Sequence, residues 1–291
     1  MRQRLGDRIG VVEQEGDAVL WGRAFADHGR FAPGTSTSGA SYEVTSTGLY
    51  FGSDGSIGNG LVGGFNVRVG GASAGVDSSF GNGSIATTAL GIGGTLSWFA
   101  ENGFYLDAQA QVSLFGSSLY SSTASRTLVS GNGGFGYGAS LEAGQQIALG
   151  PNWSLTPQAQ LAWTEVRFAG FTDAFGAAVS LDHAASLRGR LGLSVDFAED
   201  GQDAAGQDSS TRLYATANLY YDFVGGSRAN VEAVSLASVT EPLSAGIGAG
   251  GSYSWADGKY TVHGEALVKA GLSNPGANYA IGGTLGLHIA W

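Results

Sequence analysis

Three features predict an all-β chain, specifically a 12-stranded antiparallel transmembrane β-barrel. They are an apolar/polar alternation with period two, an excess of glycine, and charges confined to one phase of the alternation. Of 291 residues, 50 are glycine, about 17% against a usual ~7%. Six Trp, 11 Tyr and 14 Phe accompany only five Pro, and 43% hydrophobic content excludes a disordered chain. The glycines lack a Gly-X-Y period, which excludes collagen. Absence of cysteine removes disulfide scaffolds, zinc ribbons and thiol chemistry. A net charge of −10 and a pI near 4.7 argue against nucleic-acid partners. No run approaches 18 apolar residues, so no transmembrane helix is expected.

The strands are expected at roughly 17–26, 42–53, 60–74, 85–99, 103–119, 133–149, 153–169, 177–197, 211–224, 229–255, 259–271 and 279–291. The clearest is the fifth: Phe104, Leu106, Ala108, Ala110, Val112 and Leu114 form one face, and Tyr105, Asp107, Gln109, Gln111 and Ser113 the other. The ninth alternates the same way, with Leu213, Ala215, Ala217, Leu219, Tyr221 and Phe223 against Arg212, Tyr214, Thr216, Asn218, Tyr220 and Asp222. Connections after strands two, four, six and ten (54–59, 101–102, 150–152 and 256–258) carry tight-turn residues. Those after odd strands (31–40, 73–84, 120–132) suggest longer loops, the polarity of an outer-membrane barrel. The segment 199–210 departs from this rule.

A soluble sandwich also alternates, but with charges outward. Here Arg23, Arg68, Asp107, Glu142, Arg188, Arg190, Arg212, Asp222, Glu265 and Lys269 all oppose the apolar rows. An Arg or Lys facing lipid at mid-depth costs ~2–4 kcal/mol, so this phasing places the apolar rows against hydrocarbon. Glu165 and Arg167 share the outward phase but lie beyond Trp163. Trp153 and Trp163 stand ten residues apart on one face. At about 3.3 Å per residue and a tilt near 45° this spans ~23 Å, matching the ~25 Å apolar band between aromatic girdles. Trp98, Trp153, Trp163, Tyr253, Trp255 and Trp291 are the expected girdle. Arg23, Arg68, Asp107, Gln109, Glu142, Arg188, Arg190, Asn218 and Glu265 are the expected pore-lining set. Their charges either pair to stabilise a wet interior or contact a chain inside it.

Leu20-Trp-Gly-Arg-Ala-Phe25, Glu101–Gln111, Leu155–Leu161, Ser180–Gly192 and the terminal Trp291 follow one another in an order and spacing that resembles the C-terminal translocator (β-domain) of classical type V autotransporters. Leu5-Gly-Asp-Arg8 resembles the segment before the first strand. The resemblance implies a bacterial outer-membrane barrel, with residues 17–291 as the autotransporter β-barrel domain. Residues 1–16 would be a short N-terminal linker remnant that enters the pore or caps its periplasmic mouth. It implies a translocator and anchor that assists export of an N-terminal passenger in type V protein secretion. The alternative is a porin-like diffusion channel. Implied partners are the chain's own passenger and linker helix, the barrel-assembly machinery that recognises the terminal aromatic Trp291, and the lipid bilayer. Met1–Gly10 lacks a signal-peptide pattern, so a longer precursor is expected. No Asn-Asn pair stands near the start, so self-cleavage at such a junction is not implied.

Motifs suggestive of catalysis fail on context. Gly71-Ala-Ser-Ala-Gly75 fits a nucleophile elbow but no helical pattern follows. Residues 131–136 and 246–251 fit G-x-G-x-x-G without a βαβ unit. The four histidines, His28, His183, His263 and His288, lack ligand spacing; His263 and His288 are expected as wet interior neighbours. No enzymatic activity, metal or cofactor is expected.

Overall fold

The computed structural model describes residues 18–32, 36–239 and 241–290. Met1–Gly16 and Trp291 lie outside the described residues. Twelve antiparallel strands form the barrel: β1 (Ala18–Phe31), β2 (Ala40–Gly58), β3 (Leu61–Ser78), β4 (Gly81–Phe99), β5 (Phe104–Ser121), β6 (Arg126–Gln145), β7 (Trp153–Phe168), β8 (Ala185–Gln202), β9 (Asp208–Val224), β10 (Leu243–Trp255), β11 (Tyr260–Gly271) and β12 (Tyr279–Ala290). Each pairs with its sequence neighbours, and β12 returns to β1 from Val19↔Ala290 to Arg30↔Tyr279, closing the sheet. Closure leaves no unpaired edge, the condition for spanning lipid with strands.

The burial pattern is the reverse of a soluble core. Among the described residues only Val19, Trp21, Val62 and Tyr105 are buried hydrophobics, whereas Asp54, Asp107, Glu142 and nine other polar residues besides Arg23 are buried. Phe65, Leu90, Leu114, Leu191, Ile247 and Leu285 stand exposed on the outer wall. Such a surface is stable only where its surroundings are apolar.

At the end where β1 begins and β12 finishes the connections are tight. Asn59 and Gly60 both have positive φ, 55° and 76°, as a two-residue I′ hairpin requires. A Cβ at Gly60 would also overlap the Phe99 carbonyl. The segment 199–210 conforms to the same rule. Its strands continue to Gln202 and resume at Asp208, leaving a short turn at 203–207. Asp203 closes that turn by accepting from the backbone N–H groups of Ala205 (2.8 Å), Gln207 (3.0 Å) and Ala256 (3.2 Å). These bonds, the Gln207 one foremost, hold its carboxyl below the usual range.

At the other end several expectations are corrected. The expected loop at 73–84 is strand up to a turn at Ser79-Phe80, and that at 120–132 is strand broken only at 122–125. The reason lies in the residues that clad these extensions. In β3, outward Phe65, Val67 and Val69 give way to outward Ser73, Gly75 and Asp77, while Ala72, Ala74 and Val76 turn inward. In β4, outward Leu90 and Ile92 give way to Asn82, Ser84 and Thr88, with Ile85 inward. The period persists but its apolar phase inverts.

The expected eighth strand, 177–197, is two elements: Ala178–His183 leaves the barrel before β8 begins. The expected tenth strand, 229–255, divides into the hairpin Ser227–Val231/Val234–Ser238 and β10. The expected sixth strand, 133–149, starts earlier and ends at Gln145, with Ile147–Ala148 separate. The extra strands form a four-stranded sheet in the order 234–238, 227–231, 178–183, 171–172. Its outer edge meets the β1–β2 connection, where Ser38 N–H donates to Ala237 O (3.2 Å) and Ala237 N–H to Thr37 Oγ1 (2.8 Å). Three connections at this end are thereby tied together. Glu241 joins the β11–β12 connection by accepting from Ser273 N–H, the main reason its carboxyl sits below the usual range.

Candidate functional site: the polar interior

Because alternate side chains face opposite ways, each strand delivers every second residue inward. Five adjacent strands each contribute one residue to a belt centred on Glu142. Tyr105 (β5) donates its hydroxyl to Glu142 Oε1 (β6) at 2.9 Å, and Arg190 Nη2 (β8) donates to Glu142 Oε2. Arg190 also donates to Gln158 Oε1 (β7) at 3.1 Å and to Asn218 Oδ1 (β9) at 2.6 Å. The Glu142 and Arg190 side chains are 2% and 11% exposed. Removing one member of such a pair strands a buried charge.

Further contacts step over a strand. Arg68 on β3 reaches past β4 to Gln111 and Ser113 on β5, over Gly91, where a Cβ would occupy the guanidinium's place. Tyr214 on β9 reaches past β10 to Glu265 on β11 at 2.6 Å. Arg188 meets Asp222, with Nη2 to Oδ2 at 2.8 Å, and Lys269 Nζ lies 4.9 Å from the centre of the Tyr220 ring. Arg23 lies 5.7 Å from the centre of the Trp21 ring. Asp107 accepts from Ser97 and, at 2.7 Å, from Gln109.

A cavity of about 490 Å³ runs among these groups; Arg23, Gln109, Glu142, Arg188, Arg190, Asn218 and Glu265 all line it. Arg68 contacts the lining residue Gln111, and Asp107 lies beneath Gln109, 3% exposed. Charges of both signs alternate around the wall. His263 and His288, ring centres 4.7 Å apart, are packed rather than wet, at 4% and 7% exposed. Asp54 and Asp196 belong to the same interior but stand outside the expected pore-lining set. Asp54 falls past the expected end of strand two, in residues that extend β2. Asp196 accepts from Thr156 (3.2 Å) and Ser194 (3.0 Å), and only its even phase along β8 signals the placement.

On the outer wall Trp98, Trp153, Tyr253 and Trp255 sit near the tight-turn end. They pair with neighbouring rings: Trp98–Phe104, Trp153–Phe197, Tyr253–Trp255 and Trp255–Tyr260. Trp163 stands toward the other end, 4.9 Å from the Tyr137 ring. Ser73 lies within β3 with no helix after it, and the two G-x-G-x-x-G matches lie within β6 and β10. Among the described residues no three His, Asp or Glu side chains gather as a metal site.

A closed twelve-stranded sheet, apolar outside and charged inside, defines an outer-membrane β-barrel. Residues 20–267 match the autotransporter beta-domain family, and the chain belongs to it. It is therefore a translocator domain of the bacterial outer membrane. It is similar to the adhesin BmaC autotransporter of Brucella suis, at 40% identity over the whole chain and 9% of the relative. It is also similar to the pertactin autotransporter of Bordetella bronchiseptica, at 28% identity over 78% of the chain and 24% of the relative. The chain thus spans at most a quarter of these curated relatives. The fold is shared with the transport unit of AIDA-I from Escherichia coli: TM-score 0.74, 14% identity, 99% of this chain and 93% of that one. It is also shared with the translocator domain of NalP from Neisseria meningitidis: TM-score 0.68, 15% identity, 98% and 94%.

Proposed function

We infer that the polar interior holds the chain's own linker and passenger segment during and after export, and that the barrel itself catalyses no reaction. The observation that carries this reading is the cavity lined by Arg23, Glu142, Arg190, Asn218 and Glu265. Its mixed charges and amide groups offer donors and acceptors to a peptide backbone without selecting one sequence. Residues 1–16 supply Arg2, Arg4 and Arg8, and Glu13 and Glu15, as complementary charges. On this reading the barrel-assembly machinery inserts the domain, with Trp291 ending the strand it recognises.

The chain has no native cysteine, so a designed pair reports cleanly on occupancy. Asn218→Cys combined with Gly10→Cys should form a disulfide under mild oxidation and block later movement of the linker. Deleting residues 1–16 should raise conductance in planar bilayers. Absence of cross-linking together with unchanged conductance would favour a porin-like diffusion channel. Deletion of Trp291 should lower the yield of heat-modifiable barrel in outer membranes; unchanged yield would remove it as an assembly signal.

A further inference from the structure

We propose that the outer wall of β6–β9 carries a binding site for one phosphorylated glycolipid of the outer leaflet. Two independent features lie on that face. The first is an apolar groove of about 490 Å³, walled by Leu141, Leu161, Leu191 and Phe223 and floored by Ala159 and Gly189. Its smallest residues make the depression: a Cβ at Gly189 would meet the Phe223 ring at 2.9 Å. Facing the bilayer, a groove of this chemistry accepts an acyl chain.

The second feature is a cation higher on the same wall, displaced from the groove toward β6 by the tilt of β7. Going up β7, the outward residues are Ala159, Leu161, Trp163, Glu165 and Arg167. Arg167 lies four residues past Trp163, or about 9 Å higher for a tilted strand, which places it in the headgroup layer. Its Nε and Nη2 each stand 2.7 Å from Glu165 Oε1, and 71% of its side chain remains exposed. Glu165 therefore fixes the guanidinium without covering it. Trp163 and Tyr137 pack between the cation and the groove, as amphipathic rings do at an interface. An occupant needs an anionic phosphate at the height of Arg167 and an acyl chain reaching down past Trp163. A guanidinium suits phosphate as a planar multiple donor. The acylated, phosphorylated glycolipid of the outer leaflet meets both requirements.

The test reconstitutes the 291-residue chain in phosphatidylethanolamine nanodiscs containing a minor fraction of lipid A or, separately, phosphatidylglycerol. Retained lipid is measured by native mass spectrometry after release into mild detergent. The unaltered barrel should hold one lipid A. Arg167→Ala should reduce that retention about tenfold, the loss of one charge-assisted contact, and Ala159→Phe should abolish it by filling the groove. Arg30→Ala, removing a rim cation outside this groove, should leave it unchanged. Heat-modifiable migration establishes that each variant is folded; should Ala159→Phe not fold, the contrast between Arg167→Ala and Arg30→Ala decides. The proposal is overturned by no retention in the unaltered barrel, equal retention in the Arg167 variant, equal loss with Arg30→Ala, or equal retention of phosphatidylglycerol.

Discussion

The lower and upper parts of β2–β4 share one backbone, one pleat and, from Ser56 upward, one continuous register, yet their chemistry is opposite. Below, Leu49, Phe51, Val67 and Ile92 face outward and Asn66 and Arg68 inward; above, Glu43, Thr45, Ser73 and Ser84 face outward and Val44, Val76 and Ile85 inward. The backbone fixes only that neighbours alternate. The medium outside the wall decides which half of the alternation is apolar: hydrocarbon below, water above. Inside, the lower part depends on hydrogen-bonded charge, whereas the upper part presents an apolar face inward.

The contrast can be broken most severely at the belt. Glu142→Ala should cost about 3 kcal/mol by leaving Arg190 buried without its carboxylate, read as a lower urea midpoint in lipid vesicles. Arg30→Ala, at the exposed 3.6 Å pair with Glu43, should cost under ~1 kcal/mol. Equal losses would mean that the interior pairing contributes nothing special. Next comes the wall: Val67→Arg should destabilise by ~2–4 kcal/mol if that row faces hydrocarbon. Gly75→Arg, on the same face of the same strand but above the inversion, should stay within ~0.5 kcal/mol. If both behave alike, the boundary is misplaced.

Packing gives a smaller effect. A Cβ at Gly52 would overlap the Trp21 ring and approach the Phe65 carbonyl at 2.5 Å, whereas at Gly75 nothing lies within 4 Å. Gly52→Ala should therefore cost ~1–3 kcal/mol, and Gly75→Ala should be neutral or slightly stabilising; the same unfolding assay compares them. The smallest effect belongs to the turn end. Asp203 has a folded pKa below its ordinary 3.8, so its contribution is complete above that value and is lost as pH falls through the folded one. Amide exchange at Ala205 and Gln207, corrected for intrinsic rates, should accelerate on acidification across that window. In Asp203→Asn this acid-dependent step should be absent; persistence of the step would assign it to another carboxylate.

The inversion also explains how far the sequence could be followed. Twelve strands, their order and the inward phase of Arg23, Glu142 and Arg190 are legible, because each depends on alternation within one medium. The sequence predicts strand ends at 74 and 85, where the apolar row switches phase, although hydrogen bonding continues to Ser78↔Gly81. The merged 177–197 and 229–255 segments fail for the opposite reason: alternation continues through Ala178–His183 and Ser227–Ser238 after the chain has left the wall. Glu142, Arg190 and Asn218 are legible from phase; Gln158, outside the expected pore-lining set, and the pairing of the belt's members are not. That Arg190 meets Glu142 rather than Asp222 depends on register across three strands, which no local pattern encodes.

The pairing of β1 with β12 sets a timetable. Val19 has its partner at Ala290, so the first strand waits until the last has been made, and loop-closure entropy opposes that meeting until the intervening sheet has drawn the ends together. During the wait two strand edges stand open, each offering unpaired amides to any passing strand. Synthesis interrupted before the final strand would yield no smaller barrel, only a curved sheet with a permanent gap and two adhesive borders. Quality control of this barrel therefore reduces to a single question, asked at its twelfth strand.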